Sequence, residues 1–195
     1  LAKAEEWIKS AENREWAASA YEAQLDELIL LGEAVREKTY ANDSEKRRNF
    51  VQAGDLEKRA GDQAARASAN FDQAVINWDK ALGEIRKLSD EERTKQLELL
   101  LDAARDNSLR MCTKAAEVYE RAALSFGKSY GNDAAKEADA SEKSAQFREK
   151  LAGRLGSRGK GFAKRSRTCQ LRQRSRHGAR PVGSPRRSRR HHRRS

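Results

Sequence analysis

A heptad pattern between residues 60 and 88 constrains the fold of this chain more than any other feature of its sequence. Apolar residues recur at alternating steps of four and three: Ala60, Ala64, Ala67, Phe71, Ala74, Trp78, Ala81, Ile85 and Leu88. This spacing places one apolar stripe along an α-helix that packs lengthwise against other helices. A helix of about 45 residues extends about 67 Å, which is wider than a compact globule of 195 residues. The sequence therefore predicts long helices that lie side by side.

Three further segments carry similar stripes. In residues 1–39 the seam positions are Ala4, Trp7, Ala11, Arg14, Ala18, Tyr21, Leu25, Leu28, Gly32 and Val35. Beyond residue 90 they are Leu97, Leu101, Ala104, Ser108, Met111, Ala115, Val118, Ala122 and Ser125, widened by Leu100, Tyr119 and Phe126. Beyond residue 133 they are Ala140, Ser144, Phe147 and Leu151.

The short connections between these segments favour antiparallel neighbours. The prediction is an all-α protein: an elongated antiparallel bundle or coiled coil of three long helices and one short helix. The long helices span residues 1–39, about 44–88 and about 90–129, and the short one spans about 133–152.

Local signals place the helix starts. Asp43 or Ser44 is expected to cap the second helix. Ser89 and Glu92 have the spacing of a capping box at the start of the third. Arg14 is the one charged residue in the first seam, where it would either specify the register or a partner, or extend its charged end to solvent.

The net charge of +11 combines two segments of opposite sign. Residues 1–152 contain 25 Lys and Arg against 30 Asp and Glu, whereas residues 153–195 contain 16 Lys and Arg and no acid. We therefore predict two domains, a helical bundle over 1–152 and a disordered basic tail over 153–195, because a segment so charged and so poor in apolar residues cannot form a core.

Arginine and serine dominate this tail, and a basic, Arg-rich segment binds phosphate backbones without reading sequence. The candidate nucleic-acid-binding residues are Arg165, Arg167, Arg172, Arg174, Arg176, Arg186, Arg187, Arg189, Arg190, Arg193 and Arg194. In composition the tail resembles the arginine/serine-rich tails of RNA-processing proteins and protamine-like arms. The alternative interpretation is a GC-rich reading frame translated out of register.

The sequence offers no candidate residues for catalysis or metal binding. The three histidines, His177, His191 and His192, all lie in the tail, so the helical region offers no imidazole for acid–base catalysis or metal binding. Cys112 and Cys169 match no metal-binding or redox spacing. We therefore predict a protein that is not an enzyme and uses no cofactor and no metal.

One segment has a family resemblance. The run from Phe71 to Leu82, with Gly61, Asp62 and Ala64 upstream, resembles the two helices of a tetratricopeptide-like repeat over residues 61–82. The resemblance implies a helical hairpin that binds peptides in a concave groove. A shift of 34 residues in either direction does not reproduce the pattern, whereas such arrays need about three repeats.

These observations leave two functional hypotheses. The first is a non-enzymatic helical scaffold or protein–protein interaction module, which acts on a protein partner or by self-association through its helical faces. The alternative is a protein that binds RNA or DNA non-specifically through its basic tail. The longest run of large aliphatic residues, 28–31, is too short to span a membrane. No targeting motif fixes the compartment; a cytoplasmic location is favoured, with a nuclear one as the alternative in a eukaryote.

Overall fold

The computed structural model describes the backbone of residues 1–129 and 133–177, and the side chains of residues 1–129 and 133–156. Four helices are present in these ranges: α1 (Ala2–Arg36), α2 (Asp43–Arg86), α3 (Glu91–Gly127) and α4 (Ala134–His177). No residue within the ranges forms a β-strand. The predicted all-α fold is therefore confirmed. No helix of the described backbone is both long enough and apolar enough to cross a membrane.

The fourth helix is longer than its seam predicts. The sequence places its end near residue 152, whereas the backbone stays helical to His177. No proline occurs before Pro181, and the arginines, lysines and glutamines of this segment are good helix formers. Residues 178–195, the remainder of the predicted tail, lie outside the described residues.

The chain divides into two compact units, Leu1–Arg154 and Leu155–Ser195. The first unit contains α1, α2, α3 and the beginning of α4. The helical part of the second unit is the continuation of α4 to His177. The predicted domain boundary, between residues 152 and 153, lies two residues before this division.

The turns differ in detail from the predicted caps. The N-cap of α2 is Asn42, whose side chain accepts a hydrogen bond from the Glu45 amide at 2.9 Å, so the prediction of Asp43 or Ser44 was wrong by one or two residues. The N-cap of α3 is Asp90, which accepts from the Arg93 amide at 3.0 Å.

The predicted capping box between Ser89 and Glu92 does not form. Ser89 has a φ of 56°, in the left-handed region, because the chain must reverse between Arg86 and Glu91 within four residues. A residue in this conformation ends the turn and cannot also act as the N-cap, which has extended backbone.

Long-range contacts confirm that α2 is antiparallel to both α1 and α3. Near the start of α1, Ser10 accepts a hydrogen bond from Asn77 at 3.0 Å, close to the end of α2. Near the end of α3, Tyr119 donates to Asp62 in the first half of α2 at 2.6 Å. Helices α1 and α3 are consequently parallel, and two ion pairs join them, Glu22–Arg110 and Glu33–Arg121, each between residues 88 positions apart.

The predicted seams form the core. Every stripe residue of α2 up to Ile85 is buried, and so are all nine residues of the α3 stripe. Two residues of the predicted apolar faces are exposed, Leu88 and Leu100. Leu88 lies beyond the last turn of α2, and Leu100 faces away from the helices α1 and α2. Arg14 is also exposed, and its guanidinium donates to Asn70 at 3.3 Å.

Two aromatic rings of α3 fit against glycines of α2. The ring of Tyr119 lies beside Gly61, and the ring of Phe126 lies beside Gly54, so closely that a Cβ atom would be 2.7 Å or 2.6 Å from the nearest ring atom. The absence of a side chain at these two positions lets α3 pack directly on the backbone of α2. Residues 61–82 form part of this one uninterrupted helix, so the hairpin implied by the tetratricopeptide resemblance does not occur there.

Candidate functional site

The arginines predicted to bind nucleic acid fall in two groups. Arg165, Arg167, Arg172, Arg174 and Arg176 lie in the helical backbone of α4. The remaining six, from Arg186 onward, lie outside the described residues. Nucleic-acid binding by these residues therefore stays a prediction.

The acidic and thiol side chains determine whether a metal or catalytic centre could form in this chain. In residues 1–129 and 133–156, no three His, Cys, Asp or Glu side chains are grouped so that they could hold a metal ion. The Cys112 thiol is buried and donates to the Phe147 carbonyl at 3.5 Å. Burial raises its pKa, so the neutral, poorly nucleophilic thiol is favoured.

A buried carboxylate joins the three long helices. Glu57 of α2 is only 1% exposed, and its two carboxylate oxygens accept from Arg36 at 2.5 Å and from Ser125 at 2.6 Å. Arg121 of α3 lies 3.7 Å from the same carboxylate and also donates to Glu33 at 2.5 Å. This last hydrogen bond lowers the pKa of Glu33.

The environment of Glu57 indicates a structural role. Both of its oxygens are already bonded to protein groups, and the side chain has no access to solvent from which a substrate could reach it. A buried ion pair adds little stability compared with apolar residues in the same place, but removal of only one of its partners is strongly destabilising. The cluster therefore acts mainly to fix which positions of the three helices face each other. The signal was present in the sequence, since Glu57 lies three residues before Ala60 and extends the α2 stripe.

The first part of α4 is held on α2 mainly by ion pairs. The pairs are Asp55 with Lys136, Lys58 with Asp139, Asp62 with Lys143, and Asp72 with both Lys150 and Arg154. The first and third join residues 81 positions apart, which shows that α4 runs parallel to α2 here. The hydrogen bond between Lys58 and Asp139 raises the pKa of the lysine and lowers that of the carboxyl.

Few apolar groups support these ion pairs. Ala140 and Ser144 are buried, and the Ser144 hydroxyl donates to the Ala116 carbonyl at 2.9 Å. Phe147 is only partly buried, and its ring packs against Tyr119 at 5.9 Å. Exposed ion pairs contribute about 0–1 kcal/mol each and weaken with salt. The attachment of this part of α4 is therefore expected to depend on ionic strength.

The surface of α1 that faces away from the bundle carries a second heptad pattern. Its positions, which we call the outer stripe, are Trp16, Ala20, Ala23, Glu27, Leu30 and Ala34. All six are exposed, and the two largest apolar side chains, Trp16 and Leu30, are 78% and 66% exposed. Sequence reasoning missed this stripe because the inner seam of α1 was sufficient to place the helix in the bundle.

The outer stripe lies opposite the residues that α1 contributes to the core. Ala18 and Leu25 are fully buried, and each lies two residues from a member of the stripe, about 200° around the helix. Five of the six stripe positions are apolar, which is unusual for a solvent-facing helix surface. The stripe is therefore a candidate helix-docking surface.

Comparisons with known proteins give no independent indication of function. The chain matches no protein-family model, no curated protein and no solved structure at a significant level. The contacts and exposed surfaces of the chain itself are therefore the basis for the functional proposal that follows.

Proposed function

We propose that this protein is a non-enzymatic helical scaffold, which binds a protein partner through an exposed helix face. The observation that carries this proposal is the outer stripe of α1. Trp16 and Leu30 expose large apolar areas two heptads apart, and nothing in the packing of α1 against α2 requires them there. A surface that keeps a heptad pattern without an internal partner is typical of a helix that binds another helix.

The segment of α1 that carries the stripe packs against the rest of the bundle on its opposite face. The stripe runs along α1 from Trp16 to Ala34, and the opposite face of this segment packs Leu25 and Ile29 into the main core cluster. Glu22 and Glu33 anchor the same segment to α3 through their ion pairs with Arg110 and Arg121. The docking surface is thereby presented on a helix that already belongs to the folded bundle, so a partner does not have to order it, which lowers the entropic cost of binding.

The experiment compares two double variants of the 195-residue chain. Trp16→Glu with Leu30→Glu removes the stripe, whereas Leu99→Glu with Leu124→Glu changes two leucines of α3 that are 73% and 62% exposed. Sedimentation equilibrium measures self-association, and fluorescence anisotropy measures binding of labelled 21-residue helical peptides with a leucine seam. We expect association of at least one kind, lost in the stripe variant and kept in the α3 variant. A chain that stays monomeric and binds no peptide would contradict the proposal.

The second candidate function is non-specific binding of RNA or DNA, and the observation that favours it is the charge of residues 153–195. This segment has 16 Lys and Arg and no acid. If about eight cations contact phosphates, the log–log dependence of affinity on salt has a slope near −7 on duplex DNA.

A charge-neutral variant tests this second candidate. It carries Arg→Gln at the eleven candidate positions between Arg165 and Arg194. Filter binding across a salt series should show a strong loss of affinity relative to the parent chain. Binding that persists in the variant would place the nucleic-acid contacts elsewhere.

A further inference from the structure

The size of the side chains in the outer stripe defines the shape of a complementary helix. From Trp16 to Ala34 the stripe extends about 27 Å, or somewhat less than three heptads. The small residues Ala20 and Ala23 follow Trp16, and Glu27 separates them from Leu30. A helix that fits this contour places large apolar side chains opposite the two alanines, because facing positions in a packed seam alternate between large and small.

The charges around the stripe are acidic. Glu27 lies within the stripe, and Glu12 and Asp26 lie two heptads apart along one edge of it; all three are exposed. Glu22 and Glu33 are already engaged, since they pair with Arg110 and Arg121 of α3, and Arg110 also attracts Asp26. Lys9, one heptad before Trp16, marks the point where the apolar part of the pattern ends.

These charges disfavour a second copy of the same helix as the occupant. A parallel pair in register would bring Glu27 against Glu27 inside the seam, where neither carboxylate has a cation. An antiparallel pair would turn the same edges towards each other, so that Glu12 and Asp26 face the acids of the other copy. Like charges at such positions are used by helix pairs to reject a partner.

We propose that the outer stripe binds a basic amphipathic helix of another protein. The partner helix supplies large apolar side chains opposite Ala20 and Ala23, and Lys or Arg where it meets Glu27 and the edge formed by Glu12 and Asp26. This inference rests on the proposed function, because it assigns a partner class to the same docking surface. The apolar seam provides most of the contact area, and the charges select the partner.

The test uses three labelled 21-residue peptides with an identical leucine seam and with Lys, Gln or Glu at all flanking positions. Each is titrated with the 195-residue chain at nanomolar peptide concentration, which prevents peptide self-association. At low salt we expect the Lys peptide to bind about ten-fold more tightly than the Gln peptide, and the Glu peptide to bind most weakly. In 0.5 M salt the Debye length falls to roughly 4 Å, so the preference should shrink to about three-fold or less.

Charge variants of the protein identify the acids responsible. Glu12→Lys with Glu27→Lys should reverse the order of the three peptides. Glu142→Lys with Glu149→Lys changes the net charge by the same amount at exposed positions on α4, and should leave the order unchanged. Loss of the Lys preference in both variants would show that overall charge, and not the stripe, attracts the peptide.

The outcomes separate this inference from the proposed function. Equal, stripe-dependent binding of all three peptides keeps the docking surface but overturns the basic partner. Self-association that is lost on Trp16→Glu with Leu30→Glu, without selective peptide binding, makes a second copy the occupant and also overturns it. Absence of any binding or self-association overturns both the partner class and the docking surface.

Discussion

Replacement of glycines in α2 by alanine tests the packing between α2 and α3. In a helix interior, Gly→Ala normally stabilises by about 1 kcal/mol, because glycine loses more backbone freedom on folding. Gly83 has no neighbouring atom within 4 Å of an added Cβ, so Gly83→Ala should show this gain. At Gly61 the new methyl would lie 2.7 Å from the ring of Tyr119.

The Tyr119 ring has little freedom to withdraw from that methyl. Its hydroxyl donates to Asp62 at 2.6 Å, and its other side packs against Phe147. Overpacking in a filled core costs about 1–3 kcal/mol, which offsets or exceeds the helix gain. We therefore expect Gly61→Ala to leave the protein about 1–3 kcal/mol less stable than Gly83→Ala.

Urea denaturation followed by circular dichroism at 222 nm measures both changes, and unaltered m-values would show that only stability has changed. Gly83→Ala should raise the melting temperature by roughly 2–4 °C, whereas Gly61→Ala should leave it unchanged or lower it. If the Gly61 variant gained as much as the Gly83 variant, the ring of Tyr119 would not rest against α2. Gly54→Ala repeats the test against the ring of Phe126.

Trp78→Ala should lower the free energy of unfolding by roughly 3–5 kcal/mol, because Trp78 is fully buried. Asp79 is exposed, so Asp79→Ala should change that free energy by less than about 0.5 kcal/mol. Equal losses of the two variants in urea titrations would refute the seam assignment. Ion pairs hold the first part of α4 over Cys112, and salt weakens such pairs. In a Cys169→Ser background, the thiol of Cys112 should therefore react faster with a thiol reagent as the salt concentration rises. A reaction rate independent of salt would contradict the attachment of α4 by ion pairs. Burial and the hydrogen bond to Asp62 raise the pKa of Tyr119 in the folded protein, so its contribution to stability is complete below about pH 10 and declines above it, by at most about 1.4 kcal/mol per pH unit. In the Tyr119→Phe variant, the free energy of unfolding should fall less steeply above about pH 10 than in the parent chain. Identical pH profiles of the two proteins would contradict the raised pKa of Tyr119.

The candidate nucleic-acid residues show where sequence reasoning remains untested. The eleven arginines were chosen from charge and composition alone, which are properties of the chain and require no fold. Their backbone is helical as far as Arg176. The outer stripe, in contrast, lies opposite Ala18 and Leu25, which the seam already places in the core, and the exposure of Trp16 and Leu30 in the folded chain identifies it as a candidate site.

The sequence by itself determined the helices and most of the core. Proline is absent before residue 181, and stripes with heptad spacing run through all four segments. Local backbone preference and apolar periodicity therefore both favour helix along nearly all of these segments. The seam residues Phe71, Trp78 and Met111 are buried as their spacing predicts. Periodicity is a local property, so a single sequence is sufficient to reveal it.

The tertiary structure alone decided how the helices meet. The burial of Glu57 depends on Arg36 and Ser125, which are distant in sequence and reach it only in one register. The fit of Tyr119 against Gly61 likewise depends on the exact stagger of α3 along α2. A heptad stripe specifies which face of a helix is buried, but equivalent stripes could slide past one another by a whole heptad. The physical reason that a single register is observed lies in these long-range contacts, which a pattern along one helix does not contain.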